Sequence, residues 1–371
     1  MTAFFAKISA FFATVLVFFQ SLFGIGVKPN NPVVPLPTVK NVIFMIGDGM
    51  GFNSIEKTRL EDGIEKFNMD SFPMKGESIT KSANDLVTDS AAGGSALACG
   101  IKLNNSTLGV YPDDIYNKNS HPMNLAELAV SQGKLAGVIT TDKTSGATPA
   151  SFSSHTDSRN NEKDITTQQL NSDLTLLWGT STESFSADTA AGKGFTVIKN
   201  KAEMDSLQEG SKSFGQFTNS LWHNYSYKEM PTLSEMTSKA IDLIDDDSDG
   251  FFLMVEGAHI DKNSHNNKVA EMKDALKSFD NAVGVALNYA KTHEDTLVIV
   301  TADHETGGIT FAGGEYQYTT GSHSGVNVPL FVYGVDGFIN SGDKINNNAV
   351  AIRTANAMGC KEFPIEVKNA A

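Results

Sequence analysis

Cysteine is scarce in this sequence, with only Cys99 and Cys360 among 371 residues. Two cysteines exclude a disulfide-rich scaffold and a zinc site built from several thiolates. Positive charge is also in deficit, because 29 Lys and Arg stand against 43 Asp and Glu, for a net charge of -14 at pH 7. This balance argues against a basic nucleic-acid-binding face, so we expect no nucleic-acid binding. It leaves room for an anionic substrate drawn in by bound metal ions.

The N-terminus carries the longest apolar run. Residues 8–27 hold no charge and are rich in Phe. About 20 apolar residues can span a bilayer, so residues 1–27 predict either a cleaved signal peptide or an uncleaved membrane anchor. Both alternatives predict export, to the periplasm or the cell exterior, and the second adds membrane attachment. Four prolines within residues 29–38 predict a stiff linker over residues 28–39.

Short apolar runs alternate with helical patterns through the rest of the chain. Runs that do not alternate with polar residues are typical of strands buried on both faces of a parallel sheet covered by helices. We therefore expect residues 40–371 to form a single catalytic α/β domain, a large and mostly parallel central sheet sandwiched between helices. The predicted strands are Asn41–Ile46, Leu135–Thr140, Leu174–Trp178, Phe195–Ile198, Phe251–Val255, Thr296–Val300 and Pro329–Tyr333. The predicted helices are Asn124–Gln132, Leu233–Ile244 and Val269–Lys291.

Carboxylates and imidazoles follow three of these runs. They are Asp48 after the first run, Glu256, Asp261 and His265 after Phe251–Val255, and Asp303 and His304 after Thr296–Val300. In open α/β sheets, ligands bind beyond the carboxyl ends of the strands. These side chains are therefore expected at one edge of the sheet. Asp and His without Cys suit Zn²⁺ or another borderline divalent metal.

Ser90 is the candidate nucleophile. It precedes a run of small, helix-compatible residues, so it is expected at a helix N-terminus, where free N–H groups and the helix dipole favour an anion. The alternative interpretation is that Ser90 only caps the helix. A serine needs a base or a metal to become a good nucleophile, and the sequence holds no Gly-x-Ser-x-Gly elbow, so a metal is the better activator.

Several motifs together resemble the bacterial alkaline phosphatase family, of a compact type. They occur in the family's order over about residues 45–335. The matching segments are Ile46–Gly51, Thr88–Ala92, Ala147–Ala150, Ser158–Asn160, Pro231–Met236, Val255–Asp261 with His265, Thr301–Glu305 and Ser322–Gly325. The resemblance implies metal-dependent hydrolysis of phosphate monoesters at alkaline pH through a phosphoserine intermediate, and a homodimer.

The resemblance also implies two Zn²⁺ ions, one Mg²⁺ ion and their ligands. It assigns zinc 1 to Asp261, His265 and His323, zinc 2 to Asp48, Asp303, His304 and Ser90, and magnesium to Asp48, Thr148 and Glu256. Arg159 would grip two phosphate oxygens, since a guanidinium offers two parallel donors.

Three features depart from the family pattern. Family members commonly carry Asp or His just before the Ala147–Thr148 pair, but this chain has Gly146. The magnesium site is therefore expected to take an extra water or to bind weakly. Lys262 matches a lysine of some members and is expected to contact phosphate through water, or else to be a solvated helix residue. Family members carry an insertion over the site that is called the crown. The short spacing from His304 to His323 predicts a reduced crown near residues 305–325.

Alternatives from other classes stay open on sequence. A phosphodiesterase or a sulfatase of the same superfamily is one, although the residues after Ser90 lack the Pro and Arg of sulfatases. Residues 245–256 also match the EF-hand calcium formula, which would suit an exported calcium-binding module. An EF-hand needs a helix after its loop, and Phe251–Val255 predicts a strand. Of the other histidines, His155 is expected to be structural or to support the metal ligands, and His121 to be an ordinary surface or turn residue.

Overall fold

The computed structural model describes residues 36–112, 120–182, 184–218, 221 and 229–368. The predicted signal or anchor, residues 1–27, and most of the predicted linker lie outside the described residues. Leu36–Ala371 is one compact unit by its contacts. Within the described ranges, every helix is too short or too polar to cross a membrane.

Strands and helices alternate along the chain. The strands are β1 (Asn41–Gly47), β2 (Met74–Ile79), β3 (Ser120–Pro122), β4 (Leu135–Lys143), β5 (Leu176–Thr180), β6 (Thr196–Ile198), β7 (Ser213–Phe217), β8 (Phe251–Gly257), β9 (Thr296–Thr301), β10 (Glu305–Thr306), β11 (Thr310–Ala312), β12 (Glu315–Gln317), β13 (His323–Ser324), β14 (Val328–Tyr333), β15 (Lys344–Asn346) and β16 (Glu366–Lys368). The helices are α1 (Phe52–Asp62), α2 (Ser90–Cys99), α3 (Leu125–Ser131), α4 (Ala147–Ala150), α5 (Glu162–Asn171), α6 (Ala187–Gly192), α7 (Lys201–Asp205), α8 (Leu233–Ile244), α9 (His259–Ser264), α10 (Val269–Thr292) and α11 (Asn347–Ala357), with a 3₁₀ turn at Asn68–Ser71.

A ten-stranded sheet forms the centre, in the order β15-β2-β14-β9-β1-β8-β4-β5-β7-β6. The mostly parallel α/β fold predicted from the apolar runs is confirmed. One strand departs from the pattern, because β14 pairs antiparallel with both β9 and β2. Its apolar run reads like those of its neighbours because it too is buried, and burial does not encode strand direction. The strand β8 follows the EF-hand-like loop, so the helix that an EF-hand requires is not there.

Helices cover both faces of the sheet. Alternate residues of a strand point to opposite faces. In β1, Ile43 and Met45 accordingly join the core beneath α8 and α10, while Val42, Phe44 and Ile46 join the core beneath α2, α3 and α11. The free thiol of Cys99 lies in this second core, as expected of a small buried residue.

Two paired glycines let α10 approach the sheet closely. Gly47 of β1 and Gly257 of β8 are register partners at the carboxyl ends of their strands. A Cβ on Gly257 would lie 2.8 Å from the ring of Phe279, and one on Gly47 would lie 3.1 Å from it. The buried Phe279 ring therefore occupies space that any larger residue would need. This packing positions the residues that follow the two strands.

The segment predicted as a reduced crown contains two small antiparallel pairs. Strand β10 pairs with β13, and β11 pairs with β12. The first pair brings His323 of β13 next to Thr306 of β10. The region is thus a short extension of the domain that returns the chain to the carboxyl edge of the sheet.

The contact between Gly257 and Phe279 gives a stability prediction. We expect Gly257→Ala to lower the free energy of unfolding by about 1–3 kcal/mol, because the added methyl overpacks a filled core. The matched control is Gly192→Ala, where a Cβ meets no atom within 4 Å, and the expected change is within about 0.5 kcal/mol. Urea unfolding followed by circular dichroism measures both. Equal stability of the two variants would contradict the packing argument.

Candidate functional site

Strand ends bring the first group of predicted ligands together. Asp48 follows β1, and Asp303 and His304 follow β9, the neighbour of β1 in the sheet. All three are buried, and one donor atom of each lies within 4.8 Å of the other two. His304 Nε2 lies 3.4 Å from Asp303 Oδ2 and 3.5 Å from Asp48 Oδ1. The zinc 2 ligands predicted from sequence are therefore spatial neighbours.

Ser90 faces this group from the start of α2. Its Oγ lies 3.1 Å from His304 Nε2. The helix is capped by Asp89, whose Oδ1 accepts a hydrogen bond from the N–H of Ala92. The interpretation of Ser90 as only a cap is thus wrong, because Asp89 has that role and the Ser90 hydroxyl is left for other chemistry.

The second group gathers at the other side of His304. Asp261 and His265 lie at the two ends of one helical turn, and His323 comes from β13. Asp261 Oδ1 lies 3.3 Å from His265 Nε2 and 3.5 Å from His323 Nε2. The outer nitrogens are oriented by backbone carbonyls, since His265 Nδ1 lies 2.7 Å from Gly321 O and His323 Nδ1 lies 3.0 Å from Thr88 O. Such carbonyl contacts direct the opposite nitrogen toward a metal.

Thr306 joins the two groups and was not predicted from the sequence. Its hydroxyl donates to Asp261 Oδ1 and lies 3.2 Å from His304 Nδ1. The rings of His304 and His323 also stack at 3.6 Å between centroids. The two groups therefore form one continuous cluster. The only sequence signal for Thr306 is its place directly after Glu305.

The residues predicted for magnesium, Asp48, Thr148 and Glu256, are all buried. The Thr148 hydroxyl donates to Asp48 Oδ2 at 3.2 Å and lies 3.4 Å from Asp303 Oδ2. Glu256 is buried and accepts a hydrogen bond from Thr140. Burial, with Asp142 nearby, raises the pKa of Glu256 to about 8. An acid with that pKa needs a cation close by to be ionised at neutral pH.

Asp142 was not predicted from the sequence and occupies the space beside Gly146. A Cβ on Gly146 would lie 2.7 Å from Asp142 Oδ2. The other carboxylate oxygen pairs with Lys262 Nζ. Lys262 is thus an ion-pair partner of Asp142 on an exposed helix position, with its side chain 43% exposed. The missing side chain at position 146 is replaced in space by a carboxylate from four residues earlier.

Arg159 lies beside the helix cap. Its Nη1 donates to Asp89 Oδ2 at 3.2 Å, and the same oxygen accepts the N–H of Ser106. The side chain of Arg159 is 33% exposed, so it is accessible to a ligand. The cap of α2 thereby anchors Arg159 at Asp89, the residue that precedes Ser90.

The donor set fits divalent cations. Asp48 Oδ1 is buried and accepts no hydrogen bond from any described residue. Burial, with Asp303 adding to it, raises the pKa of Asp48 well above its usual range. Burial also lowers the pKa of His304, which favours the neutral imidazole that binds metals. A bound cation would interact with Asp48 Oδ1 and offset the repulsion among the carboxylates.

Comparisons with known proteins place the chain in a family. The sequence profile named Alkaline phosphatase matches residues 39–176 and 182–331. Alkaline phosphatase 3 of Bacillus subtilis (strain 168) is 32% identical over 305 residues, which are 76% of this chain and 64% of that protein. The alkaline phosphatase of the Antarctic bacterium TAB5 superposes with a TM-score of 0.76 at 30% identity, over 88% of this chain and 99% of its own. A cold-active alkaline phosphatase of Shewanella sp. gives 0.77 at 28% identity, over 86% and 99%.

The fold and the site define an α/β protein with two groups of potential metal ligands at the carboxyl edge of its sheet. This chain belongs to the alkaline phosphatase family. It spans 64% of the length of the first two Bacillus subtilis relatives. A mutant of the TAB5 enzyme with Asp in place of a His has been solved with Mg bound in its M3 site.

Metal binding at the Asp261 group should depend on pH. In the metal-free protein, the hydrogen bond to Asp261 raises the pKa of His265 to about 9. That pairing stabilises the metal-free fold fully below about pH 6.5, the usual His value, and is lost as the pH rises through about 9. A metal must displace this proton, so we expect its apparent affinity to rise up to about tenfold per pH unit from 7 to 9 and then level off.

Isothermal titration of the metal-free protein with Zn²⁺, in buffers of different ionisation enthalpy, measures the proton release. His293→Asn is the control, because His293 is exposed and lies outside the cluster. An affinity that is independent of pH between 7 and 9 would contradict the assignment.

Proposed function

We propose that this chain hydrolyses phosphate monoesters with Ser90 as the nucleophile. The observation that carries the proposal is the Ser90 hydroxyl at the N-terminus of α2, 3.1 Å from His304 and beside the buried Asp48–Asp303 pair. A helix N-terminus stabilises the negative charge of a phosphoryl group. Membership of the alkaline phosphatase family supports the same reaction.

The cluster would hold two zinc-type ions and one magnesium-type ion. Asp261, His265 and His323 would hold the first, Asp48, Asp303 and His304 with Ser90 the second, and Asp48, Thr148 and Glu256 the third. When bound, these cations would neutralise charge on the phosphoryl, attacking and leaving oxygens, and lower the pKa of the Ser90 hydroxyl. Imidazole and carboxylate donors suit zinc, whereas the all-oxygen third group suits magnesium.

Arg159 would select the substrate class. A monoester dianion presents terminal oxygens that a guanidinium can bind in parallel. Asp89 holds Arg159 next to the helix terminus, so these oxygens would be gripped while Ser90 faces phosphorus. A phosphodiester has one oxygen fewer to offer, which makes the diesterase alternative weaker. The sulfatase alternative lacks its Pro and Arg after Ser90.

The reaction would proceed in two displacements. First, the bond from Ser90 Oγ to phosphorus forms as the bond to the leaving oxygen breaks, and the alcohol departs with a proton. Second, water attacks the phosphoserine, the bond to Ser90 Oγ breaks, and inorganic phosphate is released. The partially exposed Arg159 would hold the phosphoryl oxygens throughout both steps.

Asp142 would supply the carboxylate that the third site lacks at position 146. Its Oδ2 lies where a side chain on Gly146 would project, and its Oδ1 pairs with Lys262. The TAB5 mutant with Asp in place of a His holds Mg in its M3 site, which supports a carboxylate as a magnesium ligand in this family. Gly146 would then not weaken the site as much as its missing side chain implies.

Export and assembly belong to the same proposal. The uncharged, Phe-rich run in residues 1–27 supports an exported enzyme with a cleaved leader or a membrane anchor. Resemblance to the family supports a homodimer. The calcium-module alternative has no support from the fold, since a strand follows the acidic loop.

Replacing the nucleophile tests the proposal directly. We expect Ser90→Ala to lose at least about 10³-fold of the p-nitrophenyl phosphate hydrolysis rate in the zinc- and magnesium-loaded enzyme, because the covalent step is removed. Acid quenching with ³²P-labelled substrate should trap phosphate on Ser90 of the wild type only. Ser95→Ala is the control, because this hydroxyl lies on the same helix but faces Ser151. A fully active Ser90→Ala variant would overturn the assignment.

Magnesium binding tests the role of Asp142. We expect Asp142→Asn to weaken Mg²⁺ binding by about 10- to 100-fold, since a supporting charge is removed, while zinc content stays unchanged. Calorimetric titration with Mg²⁺ and metal analysis after dialysis give the two numbers. Asp173→Asn, at an exposed carboxylate, should leave both unaltered. Unchanged Mg²⁺ affinity in Asp142→Asn would remove Asp142 from the site.

A further inference from the structure

A second cluster of metal-binding side chains lies outside the catalytic group. It comprises His121 of β3, Glu127 of α3 and His155, which follows α4. One donor atom of each lies within 4.8 Å of the other two. The sequence spacing did not predict this cluster, because its three members come from separate segments. His121 was expected to be an ordinary surface or turn residue, and the structure places it in β3 with intermediate burial.

His155 and Glu127 are held in one orientation by the backbone. His155 Nδ1 lies 2.9 Å from Gly109 O, which requires a proton on that nitrogen. The N–H of Asn124 donates to Glu127 Oε2 at 2.9 Å. The remaining atoms, His155 Nε2 and Glu127 Oε1, therefore face each other at 2.9 Å. Two acceptors at this distance need either a second proton on His155 or a cation between them.

His121 supplies the observation that favours a cation. Its ring stacks on that of His155 with 3.8 Å between centroids. Its Nδ1 is buried and finds no hydrogen-bond partner in the described part of the chain. A buried nitrogen without a partner is costly, and a metal ion would satisfy it.

The cluster opens onto a cavity with room for further ligands. The cavity has a volume of about 370 Å³ and is lined by His121, His155, Asp157 and Asp164, among others. It is large enough to hold water beside the three protein donors. Zinc commonly takes two imidazoles, a carboxylate and water.

We propose that His121, Glu127 and His155 bind a divalent transition metal, zinc by donor type, at a site separate from the catalytic group. The metal would brace the segment that carries Arg159. The segment after His155 is bonded to residues 106–108. Leu108 and Thr156 exchange two backbone hydrogen bonds, and the N–H of Arg159 donates to Ser106 O. Metal binding at this cluster does not depend on the role proposed for Ser90.

Metal counting in matched variants tests this site. Full-length wild type, His121→Ala, Glu127→Gln and the control His293→Ala would be dialysed against buffered nanomolar free Zn²⁺, and the zinc per chain would be measured. We expect the first two variants to hold one equivalent less than wild type and the control. The visible absorption spectra of cobalt-loaded wild type and cobalt-loaded His121→Ala should differ by the spectrum of one bound cobalt ion. Ser90 phosphorylation should persist in both variants, which separates this site from the catalytic one.

Equal zinc content in wild type and His121→Ala, with both folded by circular dichroism, would overturn the proposal. It would mean that a proton alone joins His155 to Glu127. If His121→Ala does not fold, Glu127→Gln keeps the test decisive, because it preserves the shape of the side chain while removing the charge that a metal needs. Full zinc content in that folded variant would equally overturn the site.

Discussion

Four carboxylates lie buried near one another at the carboxyl edge of the sheet, and the rest of the site depends on balancing their charge. They are Asp48, Glu256, Asp261 and Asp303. At Asp48 and Glu256, burial and the neighbouring carboxylates raise the pKa of the acid. At Asp261, burial acts in the same direction, but hydrogen bonds from His265 and His323 bring the pKa well below its usual range. Divalent cations would resolve this conflict, and under the proposed function they would also attract a phosphate dianion to an otherwise acidic protein.

The backbone fixes the positions of these carboxylates. The strands β9, β1, β8 and β4 are consecutive in the sheet, so their carboxyl ends meet without any long loop. Gly47 and Gly257 let the Phe279 ring of α10 press against two of those ends. Gly93 does the same for α2, since a Cβ there would lie 2.8 Å from Asp303 O. Close packing of helices on the strand ends thus holds Ser90 and the ligands in register.

Residues close to the apolar runs could be predicted from sequence, whereas residues that depend on loop paths could not. Asp48 and Asp303 follow buried strands directly, so the parallel sheet predicts their meeting. Burial does not determine the direction of β14, which is antiparallel to both of its neighbours rather than parallel. Asp142 could not be foreseen as the partner of Lys262, because its approach depends on the space that Gly146 leaves. His121 reaches its cluster only through the pairing of β3 with β16, a contact between distant segments.

Anomalous diffraction at the zinc edge, from crystals of the zinc-loaded protein with bound vanadate, tests the central claim most directly. The account predicts two strong peaks about 4 Å apart, one among Asp261, His265 and His323 and the other among Asp48, Asp303 and His304. It also predicts vanadium next to Ser90 Oγ, with Arg159 on its oxygens. Zinc peaks away from both groups, or vanadate bound away from Ser90, would contradict it.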